Sequence, residues 1–149
     1  MSEFDRKIII DAITRMLARR EHSYSEIVRK LAQKGIEDDA FIPILDAFRE
    51  ADIQSDQRFA QSRARALYMK GKGPRVIKLD LQQYGVDESY VREAFEEIEA
   101  DWFESAKTAK VKKFGAFFET DFTLRQKQKR FLQYRGFYQE HIDYAVSSE

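Results

Sequence analysis

The amino-acid sequence predicts an all-α protein built from three tandem three-helix repeats that form an elongated, curved array. The first observation is a motif, Leu-x-x-x-Gly followed by an apolar residue. It starts at Leu31, Leu81 and Leu132, so its copies lie 50 and 51 residues apart. The second is that further apolar residues recur in register with each copy. No segment shows a convincing strand pattern. The regular spacing of the motif is typical of repeat proteins, which usually bind a partner along an extended surface.

The motif itself predicts how three helices end. In a Schellman motif a glycine occupies the C′ position in the left-handed conformation, and the apolar residue that follows packs on the residue at C3. With Gly35 at C′, Leu31 is C3 and Ile36 is C″. Leu17, Leu67 and Phe118 lie fourteen residues before the leucines; Phe41, Val91 and Ile142 lie six residues after the glycines; and Leu45, Phe95 and Val146 lie ten residues after them. The residues in the last two sets are four positions apart, or about one helical turn, which predicts a helix after each glycine.

The first repeat, residues 1–55, starts with a helix from about Ile8 to Arg19. Residues 23–26 read Ser-Tyr-Ser-Glu, a capping box that predicts a second helix starting at Ser23 and ending at Gly35. Asp38 is the predicted cap of a third helix that runs to about Ala51.

The second repeat, residues 56–100, follows the same plan. A helix runs from about Asp56 to Lys70, and the Gly-Lys-Gly sequence at 71–73 breaks it. Pro74 suits the first turn of the next helix, and Asp87 caps the third.

The third repeat, residues 101–149, starts near Asp101. A poorly defined turn at 115–120 precedes a long basic helix that ends at Gly136. A short helix that holds Ile142, Tyr144 and Val146 follows and lacks a good cap.

Composition excludes several classes of protein. The 149 residues are 43% hydrophobic and 35% charged, which suits a folded protein with a polar exterior. The absence of cysteine excludes disulfides, thiolate metal sites and a cysteine nucleophile. No apolar run is as long as a membrane span, and the N-terminus lacks the pattern of a signal peptide. We therefore expect a cytoplasmic protein. We also expect it to be a monomer.

The charges are segregated although their sum is zero. Residues 57–79 hold seven bases and no acid, residues 87–104 hold eight acids and one base, and residues 105–135 hold nine bases and two acids. Segregated charge can steer docking to a partner. The candidate contacts for a partner or DNA are Lys70, Lys72, Arg75, Arg125, Lys127, Lys129, Arg130 and Arg135. The four of these residues at 125–130 lie on the predicted long helix, and we call them the basic strip. The alternative explanation for the basic strip is an ordinary solvated helix face. Glu93, Glu96 and Glu97 are weaker candidates that would face basic parts of a partner.

Catalytic, cofactor and metal sites are not expected. The Gly-Lys-Gly-Pro sequence at 71–74 lacks the layout of a phosphate-binding P-loop and is better explained as a helix-to-helix turn. The alternative is a flexible basic loop whose amides, with Lys72 and Arg75 at a helix N-terminus, bind an anion. His22 and His141 lie in different repeats without a ligand pattern. Tyr68, Tyr84 and Tyr134 lie next to bases, which leaves open a stacking role beside the usual core role.

The combined motifs resemble the RecX family of bacterial recombination regulators. The resemblance is carried by Arg-Glu-His-Ser-Tyr-Ser-Glu-Ile at 20–27, Lys-Leu at 30–31, Gly-Lys-Gly-Pro-Arg-Val at 71–76 and Phe-Leu-x-x-Arg-Gly-Phe at 131–137. It covers nearly the whole chain, although residues 115–122 depart from the family pattern.

The resemblance implies a non-catalytic regulator whose partner is the RecA filament on single-stranded DNA. Such a protein would inhibit filament extension, strand exchange, ATP hydrolysis and co-protease activity. A helix-turn-helix-like protein that acts on DNA directly is the alternative, and weak direct DNA binding is compatible with both. A neutral chain argues against DNA as the main target, because dedicated DNA binders carry a basic excess.

Overall fold

The computed structural model describes residues 2–147, and the ends of the first and third predicted repeats, residues 1 and 148–149, lie outside the described part. Within residues 2–147 the chain forms nine α-helices and no strand, which confirms the all-α prediction. The helices are α1 Glu3–Arg19, α2 Tyr24–Gln33, α3 Asp38–Glu50, α4 Asp56–Met69, α5 Pro74–Gln83, α6 Glu88–Ile98, α7 Trp102–Phe114, α8 Phe122–Arg135 and α9 Gln139–Ala145.

The chain packs into two compact units. Unit 1 comprises Met1–Ser62 and Leu81–Ala94, and unit 2 comprises Arg63–Asp80 and Phe95–Glu149. The division falls within α4, α5 and α6, so the three helices of the predicted middle repeat contribute to both units.

The three predicted helix ends are Schellman motifs. The amide of the apolar residue at C″ donates to the carbonyl of the leucine at C3 in each case, over 3.2 Å from Ile36 to Leu31, 3.3 Å from Val86 to Leu81 and 3.2 Å from Phe137 to Leu132. The glycine between them has a φ of +83°, +75° or +104°, a region that L side chains enter only with strain. A fourth such end closes α4, where the Lys72 amide donates to the Leu67 carbonyl, and it was missed because Lys72 is not apolar.

The helix starts are only partly as predicted. Asp87 accepts a hydrogen bond from the Ser89 amide, which confirms this predicted cap. Asp101, near which the third repeat was predicted to start, caps α7 by accepting the Glu104 amide. The start near Ile8 is wrong, because α1 begins at Glu3, where Ser2 and Asp5 form a capping box. Asp38 is also wrong as a cap: it is the first residue of α3, and the preceding residue makes no side-chain cap bond.

The core of unit 1 contains the residues that the repeat pattern placed inside. Leu31, Phe41 and Leu45 are fully buried and pack with Ile13 and Ile27. In unit 2 the corresponding cluster is formed by Ala106, Ala109, Leu132, Phe137, Ile142, Ala145 and Val146. Phe118 is a wrong member of its column, since it lies in the loop after α7 with 40% of its surface exposed.

A polar network in unit 1 ties the start of α2 to the end of α1. Ser23 accepts the Glu26 amide as predicted, but the carboxylate of Glu26 does not complete the capping box. It is almost fully buried and binds Arg20 and Lys30 instead. Burial opposes its ionisation, yet the hydrogen bond from Arg20 and the surrounding positive charges lower the pKa of Glu26 overall.

His22 belongs to the same network in its neutral form. Nδ1 lies 3.1 Å from the Arg20 carbonyl and must donate to it, so Nε2 accepts from the Lys30 ammonium at 3.3 Å. Burial, with the nearby positive charges, lowers the pKa of His22 below its ordinary value of 6.5. A metal ligand role is not needed to explain this histidine.

We expect the free energy of unfolding to fall as the pH drops below about 6.5, and His22→Gln to remove part of that fall. The unfolded chain protonates His22 at its ordinary pKa, whereas the folded protein resists protonation, so acid favours unfolding. Urea unfolding at pH 7.5 and 5.5 measures the difference. The same measurement on the wild type shows the contribution of all titrating groups together. If the free energy of unfolding falls by the same amount in His22→Gln as in the wild type, the neutral state of His22 is contradicted.

Candidate functional site: basic surfaces of unit 2

Four of the eight predicted contact residues come together where the α4–α5 turn (residues 70–73) meets the end of α8. The Gly73 amide donates to the Arg135 carbonyl at 2.8 Å, and the Arg75 amide donates to the Gly136 carbonyl at 3.0 Å. The Arg75 guanidinium also donates to the Gln133 carbonyl at 3.1 Å. These bonds bring Lys70, Lys72 and Arg75 beside Arg135, and they explain the 71–74 sequence as a helix-to-helix turn.

Helix α8 separates the remaining four bases onto different faces. Gln128 and Leu132 are buried, and Lys127 and Arg130 lie on the opposite, exposed face. In contrast, Arg125 and Lys129 are half-buried: the Arg125 guanidinium lies 4.8 Å from the centre of the Phe118 ring, and the Lys129 ammonium lies 4.0 Å from Asp143. The predicted basic strip therefore presents two bases to solvent. These two bases and Tyr134 form the surface that we call the outer face of α8.

Among the tyrosines next to bases, Tyr134 differs from the other two. Its side chain is 88% exposed on the outer face of α8. Tyr68 packs edge-on against Trp102 in unit 2, and Tyr84 packs against Phe59 in unit 1. Only Tyr134 of these three is positioned to stack on a partner.

Three arginines of residues 57–79 and two of the acidic contact candidates, Glu93 and Glu97, have partners within the protein. Arg58 binds Glu21 at 2.7 Å, Arg63 binds Asp80 through two hydrogen bonds, and Arg65 binds Glu97 at 3.0 Å. Glu93 accepts a hydrogen bond from Gln57 at 2.8 Å. Of these ion pairs, the one between Arg65 and Glu97 joins the basic segment 57–79 to the acidic segment 87–104. In 57–79 the bases outside these pairs include Lys70 and Lys72.

Lys110, one of the nine bases in residues 105–135, is a structural residue. Its side chain is 3% exposed, and the ammonium donates to the carbonyls of Gly115 at 2.8 Å and Phe117 at 2.6 Å. Burial lowers the pKa of Lys110. The loop between α7 and α8 is therefore held by a buried cation.

We expect Lys110→Met to lower the free energy of unfolding of unit 2 by roughly 2 kcal/mol, because two carbonyls lose a charged donor. The methionine keeps the length and apolar stem, so packing changes little. Lys112→Met, at an exposed position of the same helix, is the matched control and should unfold like the wild type. Urea unfolding followed by the fluorescence of Trp102, the only tryptophan, measures both variants. Equal midpoints would contradict the structural role.

Chemistry-bearing clusters of other kinds are not found in the described residues. His141 packs edge-on against Phe103, and its Nδ1 accepts the Tyr138 amide at 3.3 Å, which starts α9. Over residues 2–147, no group of three or more His, Asp or Glu side chains is placed to hold a metal ion. Within the same range, no helix combines the length and apolar character that a bilayer span requires.

The fold and these surfaces define a class: an all-α protein of helical repeats that carries exposed basic side chains on the outer face of α8 and on the α4–α5 turn. Family models describe three parts of the chain as the first, second and third three-helix domains of RecX, matching residues 3–46, 55–94 and 99–146 respectively. The chain therefore belongs to the RecX family, and the prediction of three tandem three-helix repeats is confirmed.

Similar proteins agree with this assignment. The regulatory protein RecX of Acinetobacter baylyi is 40% identical over 131 residues, which cover 88% of this chain and 81% of the relative. That of Vibrio parahaemolyticus is 40% identical over 139 residues, covering 93% and 90%. A crystal structure of RecX from Lactobacillus salivarius has the same fold, with a TM-score of 0.78 and 23% identity over 97% of this chain and 96% of that one. The relatives' names support a regulatory role.

Proposed function

We propose that this protein is a non-catalytic regulator that binds RecA filaments on single-stranded DNA. It inhibits their extension, strand exchange, ATP hydrolysis and co-protease activity. It acts in the cytoplasm as a monomer without a cofactor or metal, through repeats bounded at residues 1–55, 56–100 and 101–149. Family membership supports the partner, and the relatives are named regulatory proteins.

The observation that carries the proposal is the set of unpaired bases on unit 2. Lys127 and Arg130 are exposed on the outer face of α8, and no ion pair forms at either within residues 2–147. Lys70 and Lys72 on the α4–α5 turn also lack a carboxylate partner in the described part of the chain. A nucleoprotein filament presents phosphates and acidic side chains to such groups. Arg75, Arg125, Lys129 and Arg135 are secondary contacts, because each also interacts within unit 2.

Binding at separate points along a filament explains inhibition without catalysis. Each contact between exposed charges is weak, but contacts from one chain add through effective concentration. A filament whose groove or growing end is occupied cannot extend while subunits continue to leave it. Fewer molecules of the regulator than of RecA are then needed.

The test adds substoichiometric protein to preformed RecA filaments on single-stranded DNA and follows ATP hydrolysis. We expect the rate to fall progressively after addition. Bovine serum albumin at equal concentration serves as the control. An unchanged rate at every concentration up to equimolar with RecA would defeat the proposal.

Direct DNA binding is the second candidate function, favoured by Tyr134 on the exposed basic face of α8. If DNA were the main target, affinity in the absence of RecA would be high and would fall steeply with salt. We expect weak binding instead, because the protein has no net charge.

A further inference from the structure

Unit 2 contains an open cleft that the regulatory role does not explain. Its volume is about 560 Å³, within the size range of small-molecule sites. It lies among the end of α4, helix α7 and the second half of α8. Its charged lining residues are Lys70, Lys112, Lys113, Arg135, Asp101 and Glu104, with Ser105 and Thr108 between them.

The four cations of the cleft are without carboxylate partners among the described residues. Within residues 2–147, none of them forms an ion pair with a carboxylate. The Lys113 ammonium and the Arg135 guanidinium instead lie 5.7 and 5.3 Å from the centre of the same ring, that of Phe131. The Nε atom of Arg135 is buried without a hydrogen-bond partner. Like charges gathered around one concave surface repel one another and focus a positive potential there, which an anion would relieve.

The two acids of the cleft do not serve as that anion. Asp101 accepts the Glu104 amide at 3.1 Å, and Glu104 accepts the Tyr144 hydroxyl at 3.3 Å. Both lie at the start of α7, whereas Lys112 and Lys113 lie in its last turn. Eight residues of helix separate Glu104 from Lys112, a rise of about 12 Å. Along α7 the cleft is therefore negative at the start of the helix and positive at its last turn.

We propose that this cleft binds a nucleotide unit, with its phosphate at the four cations and its hydroxyl- or amine-bearing part towards Asp101 and Glu104. Lysine and arginine are the usual partners of phosphate oxygens, and carboxylates accept from sugar hydroxyls and base amines. The unit is either a free nucleoside triphosphate or part of a single strand, since both present the same groups. The site goes beyond the proposed function, because it needs no recombinase.

The test titrates ATP and a short oligothymidylate separately into the isolated full-length protein by calorimetry at low salt. Two variants disturb the cleft without using Lys70 or Arg135, which the proposed function also employs. Lys112→Gln with Lys113→Gln removes two cations, and Thr108→Glu adds an acid at an exposed lining position. The control, Lys78→Gln with Arg92→Gln, removes two exposed charges outside the cleft.

We expect at least tenfold weaker binding in both cleft variants and unchanged binding in the control. This pattern with ATP assigns the site to a free nucleotide, and the same pattern with the oligothymidylate alone assigns it to a strand. No binding of either ligand to the wild type at millimolar concentration would overturn the proposal. Binding that is equal in the wild type and both cleft variants would also overturn it. Inhibition of RecA is measured separately, so either proposal can fail alone.

Discussion

Replacing Gly73 by alanine is expected to destabilise unit 2 by about 3 kcal/mol, the upper end of the usual cost of overpacking. A Cβ atom at this position would lie 2.4 Å from the Gly136 carbonyl carbon and 2.5 Å from the Phe137 nitrogen. Backbone atoms cannot yield as a flexible side chain can. The α4–α5 turn would have to move away from α8, breaking the hydrogen bonds from the Gly73 and Arg75 amides to the end of that helix.

Gly35→Ala is the matched control for this substitution. Gly35 has a φ of +83°, but a Cβ atom added there would meet nothing within 4 Å, so alanine costs only backbone strain of about 1 kcal/mol. Urea unfolding followed by circular dichroism, and by Trp102 fluorescence for unit 2, compares the two variants. A loss in Gly73→Ala no larger than in Gly35→Ala would show that the turn does not depend on this close approach.

Reversing Lys127 and Arg130 to glutamate is expected to weaken filament binding roughly 100-fold, or about 2.7 kcal/mol. Both bases are exposed on the outer face of α8, so the double variant should keep its helicity and melting temperature. It replaces two attractions with two repulsions, and like charges at a contact cost affinity.

Fluorescence anisotropy of labelled protein added to RecA filaments measures this loss. Arg6→Glu with Arg15→Glu on α1 changes net charge by the same amount at exposed positions of unit 1 and should bind nearly normally. If both double variants lose affinity equally, net charge governs the binding and the outer face of α8 has no special part. If the α8 variant binds filaments as tightly as the wild type, the outer face of α8 does not contact the filament.

Local features of this fold were predictable because a few neighbouring residues determine them. The Schellman ends at Gly35, Gly85 and Gly136 need only a glycine and two apolar residues in fixed positions. Pro74 begins α5 for a similar reason, since its missing amide is not needed in the first turn. Because these helix ends recur at a regular spacing, they also predicted the architecture of three repeats.

Features that depend on how side chains pack, and not on the spacing of helix-end residues, were not predicted in this way. Glu26 suits a capping box, but Arg20 and Lys30 bind its carboxylate more strongly than one backbone amide does. The burial of Lys110 was not predicted, because a buried lysine is rare and its partners are carbonyls of a loop without regular structure. Phe118 fell into the repeat column by spacing alone, although the chain at that point is not helical.

The candidate contacts show the same limit. The excess of bases in α8 was evident, but its division between two faces follows from the burial of Gln128, a polar residue that gives no apolar signal. The meeting of the α4–α5 turn with Arg135 joins residues about sixty positions apart, which no local pattern indicates.

Growth of single RecA filaments is the most direct measurement of the central claim, that this protein binds the filament and stops its extension. Fluorescently labelled RecA on tethered single-stranded DNA reports filament length over time, and labelled regulator reports its own binding. We expect growth to stop on addition of the protein and filaments then to shorten as subunits leave. Filaments that keep growing at their original rate while the protein is bound to them would contradict the claim.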